Sequence, residues 1–374
     1  MTELRAVKKI TILFDHEIFL MQAAGGVSRY FIELIRRLDQ SGNFDPVIFA
    51  GLHASNLLTE QRASLPARVI GAKLPFGIGH NRVISAFNQL AFRIFARALQ
   101  PRIYHATYYR HFRTSPQTAR IITVHDMVAE LYADPRGKHD PTPLRKRRAI
   151  SEADAIICVS AHTQRDMLRL YPEAKRKSFV VRHGAALARS QVQKHPLDAP
   201  YFLYVGQRDK RKNHDLIKQA FALAGLKGCK LVFFGGGAPN DSEMVEASGQ
   251  GHVYAQGNDG DLATWYSHAL ALLYPSRYEG FGMPLLEAMS LGCPVVAADA
   301  SSIPEVAGDA CALIDPEDLS AWTNFLRKLY ESEDLRCSLA ARGSERSKSF
   351  SWERCAAETA DVYHKSIAGR KRHC

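Results

Sequence analysis

Residues 275–294 read Pro-Ser-Arg-Tyr-Glu-Gly-Phe-Gly-Met-Pro-Leu-Leu-Glu-Ala-Met-Ser-Leu-Gly-Cys-Pro, and this stretch decides the fold. Apolar, strand-like segments flank it at Ala269–Tyr274 and Pro294–Ala298. Pro284 suits the first turn of a helix, where its missing N–H costs nothing, and Gly292 suits the end of that helix. A strand, a glycine-bearing loop and a helix N-terminus in series bind phosphate through free backbone N–H groups and the helix dipole.

Two carboxylates flank this predicted anion site. Glu279 lies in the loop and Glu287 lies in the helix that follows. Because carboxylates repel phosphate, we expect them to face hydroxyl groups instead. A nucleotide sugar offers both a diphosphate and sugar hydroxyls. Either acid taken alone is more often a solvated surface residue, and it is the whole string with its two glycines, Pro284 and the Glu–Glu spacing that favours the ligand.

The pair Glu279-(seven residues)-Glu287 resembles the signature of the retaining family 4 glycosyltransferases of the GT-B fold. The resemblance implies that Glu279 contacts hydroxyls of the donor sugar and that Glu287 holds the ribose. It also implies that the loop and helix start touch the sugar and diphosphate, through amides at Phe281, Gly282, Met283 and Leu285. It implies no metal and no separate cofactor, since the nucleotide sugar is a co-substrate.

Length and composition set the frame for this interpretation. The chain has 374 residues, enough for about two domains of roughly 150 residues each. No apolar run approaches the ~20 residues that span a bilayer, and residues 1–5 lead directly into a strand without a visible signal peptide. The seven cysteines are scattered without metal-binding spacing. We therefore expect a cytoplasmic protein.

Charge is unevenly distributed along the chain. The formal net charge is +11, but residues 1–198 carry 30 Lys and Arg against 16 Asp and Glu, and the remainder carries 19 against 22. A basic first half favours an anionic membrane surface, a lipid-phosphate acceptor or nucleic acid as its partner. No recognisable nucleic-acid-binding module accompanies these charges, so nucleic acid is not the expected partner.

The first half begins with a predicted buried strand, Lys9–Phe14. Gly25 and Gly26 follow, and apolar residues between Val27 and Leu38 recur at helical spacing. A strand, two glycines and a helix again present backbone amides to an anion. In the family that the chain resembles, this turn approaches the donor diphosphate.

A second predicted strand, Ala119–Val124, delivers His125 and Asp126 at its carboxyl end, where open α/β sheets bind ligands. A single histidine is more often structural. The resembled family carries a histidine beside the donor sugar at the matching strand end, so we place His125 in the site. Asp126 is expected to orient it or to cap the next segment.

Two segments of the first half could touch a membrane. Asn81–Leu99 has apolar residues along one face, and Pro135–Arg148 is strongly basic. We expect the first to be a helix packed in the core, with shallow insertion into a membrane interface as the alternative. A solvated helix face and an anion-binding patch are equally open for the second.

The second half restarts the pattern with the strand Tyr201–Val205, then Gly206 and a run of cations. Cations clustered at a helix start suit a diphosphate. Lys212 matches the lysine of the resembled family, whereas Gln207 stands where many members carry arginine. The second cation is therefore either Arg211 or Arg208.

Asp259-Gly-Asp261 has the spacing of a metal-binding Asp-x-Asp pair. It precedes a predicted helix, where aspartates cap backbone N–H groups, and we interpret it as a helix start.

Together these patterns predict two Rossmann-like, doubly wound parallel sheets facing a cleft, the GT-B fold. We expect an N-terminal acceptor-side domain at 1–195, joined by a returning C-terminal helix at 350–374, and a nucleotide-sugar domain at 196–349. Polar residues 190–199 form the expected linker.

The predicted function is metal-independent, retaining transfer of a hexose from a nucleotide sugar to a lipid-linked or polysaccharide acceptor. Overall likeness to bacterial O-antigen mannosyltransferases favours GDP-mannose, in lipopolysaccharide or exopolysaccharide synthesis at the inner face of the plasma membrane. UDP- and dTDP-sugars are alternative donors. A basic nucleic-acid-binding protein without catalysis is the alternative from a different class.

Overall fold

The computed structural model describes residues 9–65, 67–75, 82–110, 112, 115–132, 140–185, 187, 194–241, 243–245 and 251–371. The chain divides into two compact units. The first contains residues up to His183 together with those from Trp352 onward, and the second is Gly184–Ser351. Residues 135–139 of the predicted basic segment, 190–193 of the predicted linker, Asn81 and 372–374 lie outside the described residues.

The first unit is built on a parallel sheet of seven strands in the order β3-β2-β1-β4-β5-β6-β7. Short apolar runs form its central strands because both faces of a parallel sheet are covered. The strands are β1 (Ile10–Phe14), β2 (Phe44–His53), β3 (Arg68–Lys73), β4 (Ile103–Ala106), β5 (Ala119–Val124), β6 (Ala155–Cys158) and β7 (Ser178–Val180).

Helices connect these strands, and a last helix returns from the second unit. They are α1 (Glu17–Met21), α2 (Gly26–Gln40), α3 (Asn56–Gln61), α4 (Arg82–Leu99), α5 (Val128–Leu131), α6 (Thr142–Glu152), α7 (Ala161–Leu170), a 3-10 helix (Pro172–Lys177) and the last helix, Trp352–Lys371. The last helix packs on α2, where Trp352 stacks on His183 and the Tyr363 hydroxyl lies 2.6 Å from His105 Nδ1. The predicted return of the C-terminal helix is confirmed.

Helix α4 does not bury the face that its apolar residues predict. The expectation of a core-packed face is wrong for the residues that are more than half exposed, namely Val83, Phe87, Leu90 and Ile94. The buried face instead holds Asn88, Phe92 and Ala96. Asn88 anchors it, because its side chain donates to Leu52 O and accepts from Leu52 N, both at 2.9 Å. Phe92 fills an aromatic cluster, with its ring 4.3 Å from that of Phe112.

The second unit is a parallel sheet of six strands in the order β10-β9-β8-β11-β12-β13. Its strands are β8 (Tyr201–Val205), β9 (Lys230–Phe234), β10 (His252–Ala255), β11 (Ala271–Tyr274), β12 (Val295–Ala298) and β13 (Ala312–Ile314). Its described helices are α8 (His214–Ala224), α9 (Asp259–His268), α10 (Met283–Ser290), α11 (Ile303–Ala307), α12 (Leu319–Glu331) and α13 (Glu333–Ser347). Two doubly wound parallel sheets are the predicted fold class, which is confirmed.

Helix α9 begins as the sequence predicts. Asn258 Oδ1 accepts hydrogen bonds from Gly260 N at 2.8 Å and from Asp261 N at 3.1 Å. In turn, Asp261 Oδ2 accepts a hydrogen bond from Asn258 N at 2.9 Å. This reciprocal capping satisfies amides that the first turn leaves without helical partners. Asp261 is therefore a capping residue. No helix among the described residues is long and apolar enough to cross a membrane.

Candidate functional site

The carboxyl ends of β8 and β11 bring the main site residues of the second unit together. These strands are neighbours in the sheet, and the order of connection reverses between them. Ligands bind at such a switch point in open α/β sheets. The loop after β8 carries Lys212 and the loop after β11 carries Glu279, so the topology places the two segments that the sequence singled out side by side.

Lys212 and Glu279 form a direct ion pair, with Lys212 Nζ 2.5 Å from Glu279 Oε1. Glu279 is only 8% exposed. Burial raises the pKa of its carboxyl, but the charge and hydrogen bond of Lys212, with help from Ser276 and Arg211, outweigh burial and hold the pKa below its ordinary value. The acid is therefore ionised and the ammonium is fixed over the Tyr274 ring, 5.5 Å from its centroid.

Arg211 lies beside this pair. Its Nη1 donates to Tyr278 O at 3.0 Å and lies 3.9 Å from Glu279 Oε2. The backbone between the two cations and the helix is held in a tight turn, since Asn213 has a left-handed φ of 56° and its side chain donates to Pro275 O and Pro316 O. We call Arg211, Lys212 and Glu279 the donor-side cluster, after the ligand that the sequence analysis predicts there.

Arg208, the other cation offered by the sequence, is occupied elsewhere. Its Nε lies 2.7 Å from Glu243 Oε1, and its Nη1 donates to Gly235 O at 2.7 Å. Its Nη2 donates to Gly237 O and Ala238 O. These contacts hold the glycine turn after β9 against the start of the β8 loop. Arg208 therefore holds the turn after β9, whereas Arg211 lies in the donor-side cluster.

The helix start predicted around residue 283 is present. Gly282 caps α10 with φ 106°, a conformation that favours glycine. The first N–H groups of α10, including those of Met283 and Leu285, precede any helical acceptor and are available to an anion. Phe281 is buried and packs edge-on against Phe350, at 5.9 Å between ring centroids.

Glu287 faces inward from α10 rather than toward solvent. It is 5% exposed, and its Oε2 lies 3.5 Å from the Tyr266 hydroxyl. The alternative interpretation of Glu287 as a solvated surface residue is thus wrong. Gly206, at the end of β8, has φ 132°, and a Cβ there would point toward Lys212 Cε at 4.0 Å.

Two serines that the sequence analysis did not single out fix the backbone of Glu279. Ser301 Oγ accepts from Glu279 N and Ser302 Oγ donates to Glu279 O, both at 2.9 Å. They follow β12, the strand paired with β11, at the same edge of the sheet. Their position after a buried strand next to the Glu279 strand is the signal that could have identified them.

In the first unit, Gly25 and Gly26 begin α2. A Cβ on Gly25 would lie 2.6 Å from Gln22 Oε1, so the turn excludes any side chain there unless Gln22 moves. Gln22 Oε1 also accepts from Ser28 N at 3.3 Å, and Ser28 Oγ donates to Gly25 O at 2.9 Å. Gln22 and Ser28 thus hold the backbone of the glycine turn in place.

His125 follows β5 as predicted and is almost completely buried. Its ring lies 5.1 Å from that of Tyr30, and its Nε2 has no hydrogen-bond partner among the residues that the structure describes. Burial, then the nearby His183, His105 and Lys146, hold its pKa well below the ordinary value, so the imidazole is neutral. Asp126 Oδ1 accepts from Val128 N at 3.0 Å, in the turn that leads into α5, whose N-cap is Met127.

Comparison with known proteins agrees with this fold. The model described as Glycosyltransferase Family 4 matches residues 24–189, and the model described as Glycosyl transferases group 1 matches residues 188–346. The two matches therefore define a glycosyltransferase. The chain belongs to glycosyltransferase family 4.

Individual relatives extend this similarity over most of the chain. The chain is 28% identical to the O-antigen chain mannosyltransferase B of Escherichia coli, over 90% of this chain and 95% of that protein. It is 26% identical to a D-inositol 3-phosphate glycosyltransferase of Nocardioides sp., over 92% of this chain and 86% of that protein. The structure of a sucrose-phosphate synthase from Thermosynechococcus elongatus superposes with a TM-score of 0.76 at 21% identity, covering 96% of this chain and 100% of the other.

Proposed function

We propose that this enzyme transfers a hexose from a nucleotide diphosphate sugar, with retention of anomeric configuration, to a glycan or lipid-linked glycan acceptor. The observation that carries the proposal is the donor-side cluster at the switch point of the second sheet, directly before the N-terminus of α10. Two cations, a carboxylate and free helix amides within one loop–helix unit suit a ligand that is anionic at one end and rich in hydroxyls at the other.

Each group has a distinct task in this proposal. Lys212, Arg211 and the amides of Met283 and Leu285 stabilise the charge that develops on the leaving diphosphate, so the reaction needs no divalent ion. Glu279 binds hydroxyls of the transferred sugar when Lys212 turns to the phosphate. Glu287, buried and hydrogen-bonded to Tyr266, binds the ribose.

Retention is proposed to follow from front-side attack, in which the leaving phosphate accepts the proton of the acceptor hydroxyl. Glu279 is a weak choice for a covalent nucleophile because its carboxylate is already neutralised by Lys212 at 2.5 Å. The neutral His125, with its unpartnered Nε2, is proposed to donate to or accept from a hydroxyl of the transferred sugar.

GDP-mannose is the proposed donor, and the mannosyltransferase relative supports it. A thermal-shift screen of the purified protein with GDP-mannose, UDP-glucose and a dTDP-hexose tests this choice. We expect the largest rise in melting temperature with GDP-mannose, since a ligand that binds only the folded state stabilises it. A rise with the UDP- or dTDP-sugar alone would replace GDP-mannose by that donor and leave the proposed reaction intact.

The acceptor is proposed to be presented at the cytoplasmic face of the plasma membrane, during bacterial surface polysaccharide synthesis. The exposed apolar stripe of α4, formed by Val83, Phe87, Leu90 and Ile94, supports this placement, with Arg93 and Arg97 exposed beside it. An apolar stripe flanked by arginines suits an anionic bilayer surface.

Co-sedimentation with phosphatidylglycerol and phosphatidylcholine vesicles tests this surface. We expect binding to the anionic vesicles and its loss in the double variant Phe87→Ser, Ile94→Ser. Leu170→Ser, at an exposed leucine of α7, serves as the control and should bind as wild type. Equal binding of wild type and the double variant would remove the stripe from the membrane surface.

A further inference from the structure

A second concentration of cations lies in the first unit, outside the residues that the donor requires. A pocket of about 780 Å³ is lined by Arg82 and Gln89 of α4, Tyr109 and Arg110 after β4, and residues of α6 that include Arg145 and Arg148. Four of its lining residues are arginines, and its only acid among the described lining residues is Asp140. We call it the arginine pocket.

The pocket stands at a position where open α/β sheets bind ligands. In the first sheet β1 and β4 are neighbours, although β2 and β3 lie between them in sequence. The pocket takes Met21 from the helix after β1, and Tyr109 and Arg110 from the loop after β4. It therefore lies at the switch point of this sheet, as the donor-side cluster does in the other.

Arg110 is fixed in place by a buried acid. Its Nε donates to Glu17 Oε1 at 3.1 Å and its backbone N donates to Glu17 Oε2 at 2.7 Å. Its Nη1 donates to Ser85 Oγ of α4 at 2.8 Å. The guanidinium thus has one orientation, and ordering it on a ligand carries little further entropic cost.

Arg82 and Arg145 differ from Arg110, since neither side chain makes an ion pair or a hydrogen bond with the described residues. Arg148 spends one bond on the exposed Glu152, with Nε 3.0 Å from Oε1, and Asp140 Oδ1 accepts from Thr142 N. Several guanidinium groups around one pocket match the geometry of a phosphate or diphosphate, which accepts paired hydrogen bonds. With four arginines and one aspartate in its lining, the pocket favours an anionic ligand.

The exposed side of α4 indicates whether the expected ligand is a soluble phosphate or a phosphate attached to a hydrocarbon chain. The residues of α4 that line the pocket are 82, 85, 86 and 89, and the exposed apolar stripe at 83, 87, 90 and 94 occupies the neighbouring face. A soluble phosphate would use the pocket alone. A phosphate attached to a hydrocarbon chain would use both faces.

We propose that the arginine pocket binds the phosphate or diphosphate of a lipid-linked acceptor, whose hydrocarbon chain leaves along the apolar stripe of α4. This inference rests on the proposed transferase function and supplies its acceptor class. Arg82 and Arg145 are the residues that give the pocket its free charge, and Glu17 positions Arg110.

Binding to three small probes, measured by isothermal titration calorimetry below their micelle concentrations, tests the proposal. The probes are decyl phosphate, methyl phosphate and decyl maltoside. We expect decyl phosphate to bind at least tenfold more tightly than either of the others, because only it offers both the anion and the chain. Equal affinity for methyl phosphate would assign the pocket to soluble phosphates, and equal affinity for decyl maltoside would overturn the role of the arginines.

Variants separate the pocket from the rest of the chain. Arg82→Ala and Arg145→Ala should each weaken decyl phosphate binding about tenfold. Melting temperatures should stay within about 1 °C of wild type, because both side chains are exposed and neither makes an ion pair or a hydrogen bond with the described residues. Arg102→Ala, at an exposed arginine of the same unit that lies outside both the pocket and the apolar stripe, is the matched control. Wild-type affinity in both pocket variants would contradict the proposal.

Hydrolysis of nucleotide sugar by the wild-type protein, measured in parallel, separates the proposed transferase function from the proposed lipid-phosphate site. Its absence with every donor would contradict the proposed function. The decyl phosphate titration reports on the pocket whether or not turnover is observed.

Discussion

The two cation clusters of this enzyme differ in how their charge is balanced. In the donor-side cluster Lys212 is already paired with Glu279 at 2.5 Å, and both side chains are mostly buried. In the arginine pocket Arg82 and Arg145 are exposed, and neither side chain makes an ion pair or a hydrogen bond with the described residues. In the first arrangement the charges are paired within the protein. The second leaves its charge to be neutralised by whatever ligand arrives.

Removing the lysine of the donor-side cluster should have the largest effect. For Lys212→Ala we expect turnover of the nucleotide sugar to fall about 10³-fold, since one preorganised donor to a developing charge contributes 10²–10³ and this one is a full cation. Steady-state kinetics measure the loss. Lys210→Ala, an exposed lysine of the same loop, is the control and should keep wild-type turnover.

Removing the acid tests whether the cluster serves the sugar. For Glu279→Ala we expect turnover to fall about 10²-fold, because hydroxyl contacts are lost while the cations remain. Glu317→Ala, which breaks an exposed ion pair with Arg277, is the matched control. Wild-type turnover in Glu279→Ala would remove this residue from the site.

Arg208 should behave as a structural residue by comparison with its neighbour Arg211. Arg208→Ala leaves Glu243 buried without its partner, which costs about 3 kcal/mol of unfolding free energy. Chemical denaturation measures this loss. We expect Arg211→Ala, whose ligand-facing role is proposed, to change stability by less than half as much. Equal losses would place the two arginines in the same role.

Helix α4, which borders the arginine pocket, provides a test of its two faces. Asn88→Ala should lower the free energy of unfolding by about 2 kcal/mol, since it leaves both polar groups of Leu52 without their side-chain partner. Phe87→Ser, on the exposed face, should leave stability within about 0.5 kcal/mol of wild type. A larger loss in Phe87→Ser would show that the stripe is packed in solution.

The smallest effect expected is a pH dependence at the base of the arginine pocket. Burial, then the neighbouring Asp15, raise the pKa of Glu17 to about 7 in the folded protein, against an ordinary value of 4.5. A pKa that is higher in the folded than in the unfolded protein means that protonation of Glu17 stabilises the folded state. This stabilisation is fully present below about pH 4.5 and is lost as the pH rises through about 7. Melting temperature should therefore fall less between pH 5 and 8 in Glu17→Gln than in wild type. Parallel melting curves would contradict this.

Most of the fold could be predicted because the strands of both sheets are short apolar runs followed by polar or glycine residues. Tyr201–Val205 and Ala119–Val124 appear with the predicted bounds. The position of the donor-side cluster could be predicted for the same reason. Arg211 and Lys212 lie in the loop after β8, and Glu279 lies in the loop after β11.

The orientation of α4 could not be predicted, because apolar spacing reveals an amphipathic face without showing which side the sheet covers. A polar residue, Asn88, decides it by bonding to the backbone of β2, and no periodicity analysis would choose an asparagine for the core. The roles of Arg208 and Arg211 were left open for a similar reason. Only tertiary contacts place one against the Gly235 turn and the other against Tyr278.

The arginine pocket was beyond the sequence analysis as well. Its residues come from positions 21, 82–89, 109–110 and 140–148, and folding alone brings them together. The basic first half was visible in the composition, but composition does not distinguish a solvated surface from a built pocket.

Hydrolysis of GDP-mannose, UDP-glucose and a dTDP-hexose without added acceptor, compared between wild type and Lys212→Ala, tests the central claim most directly. We predict slow release of free hexose from one of these donors by wild type, and its loss by about 10³-fold in the variant. No release from any donor, or equal release by the two proteins, would contradict the assignment of the donor-side cluster to nucleotide-sugar cleavage.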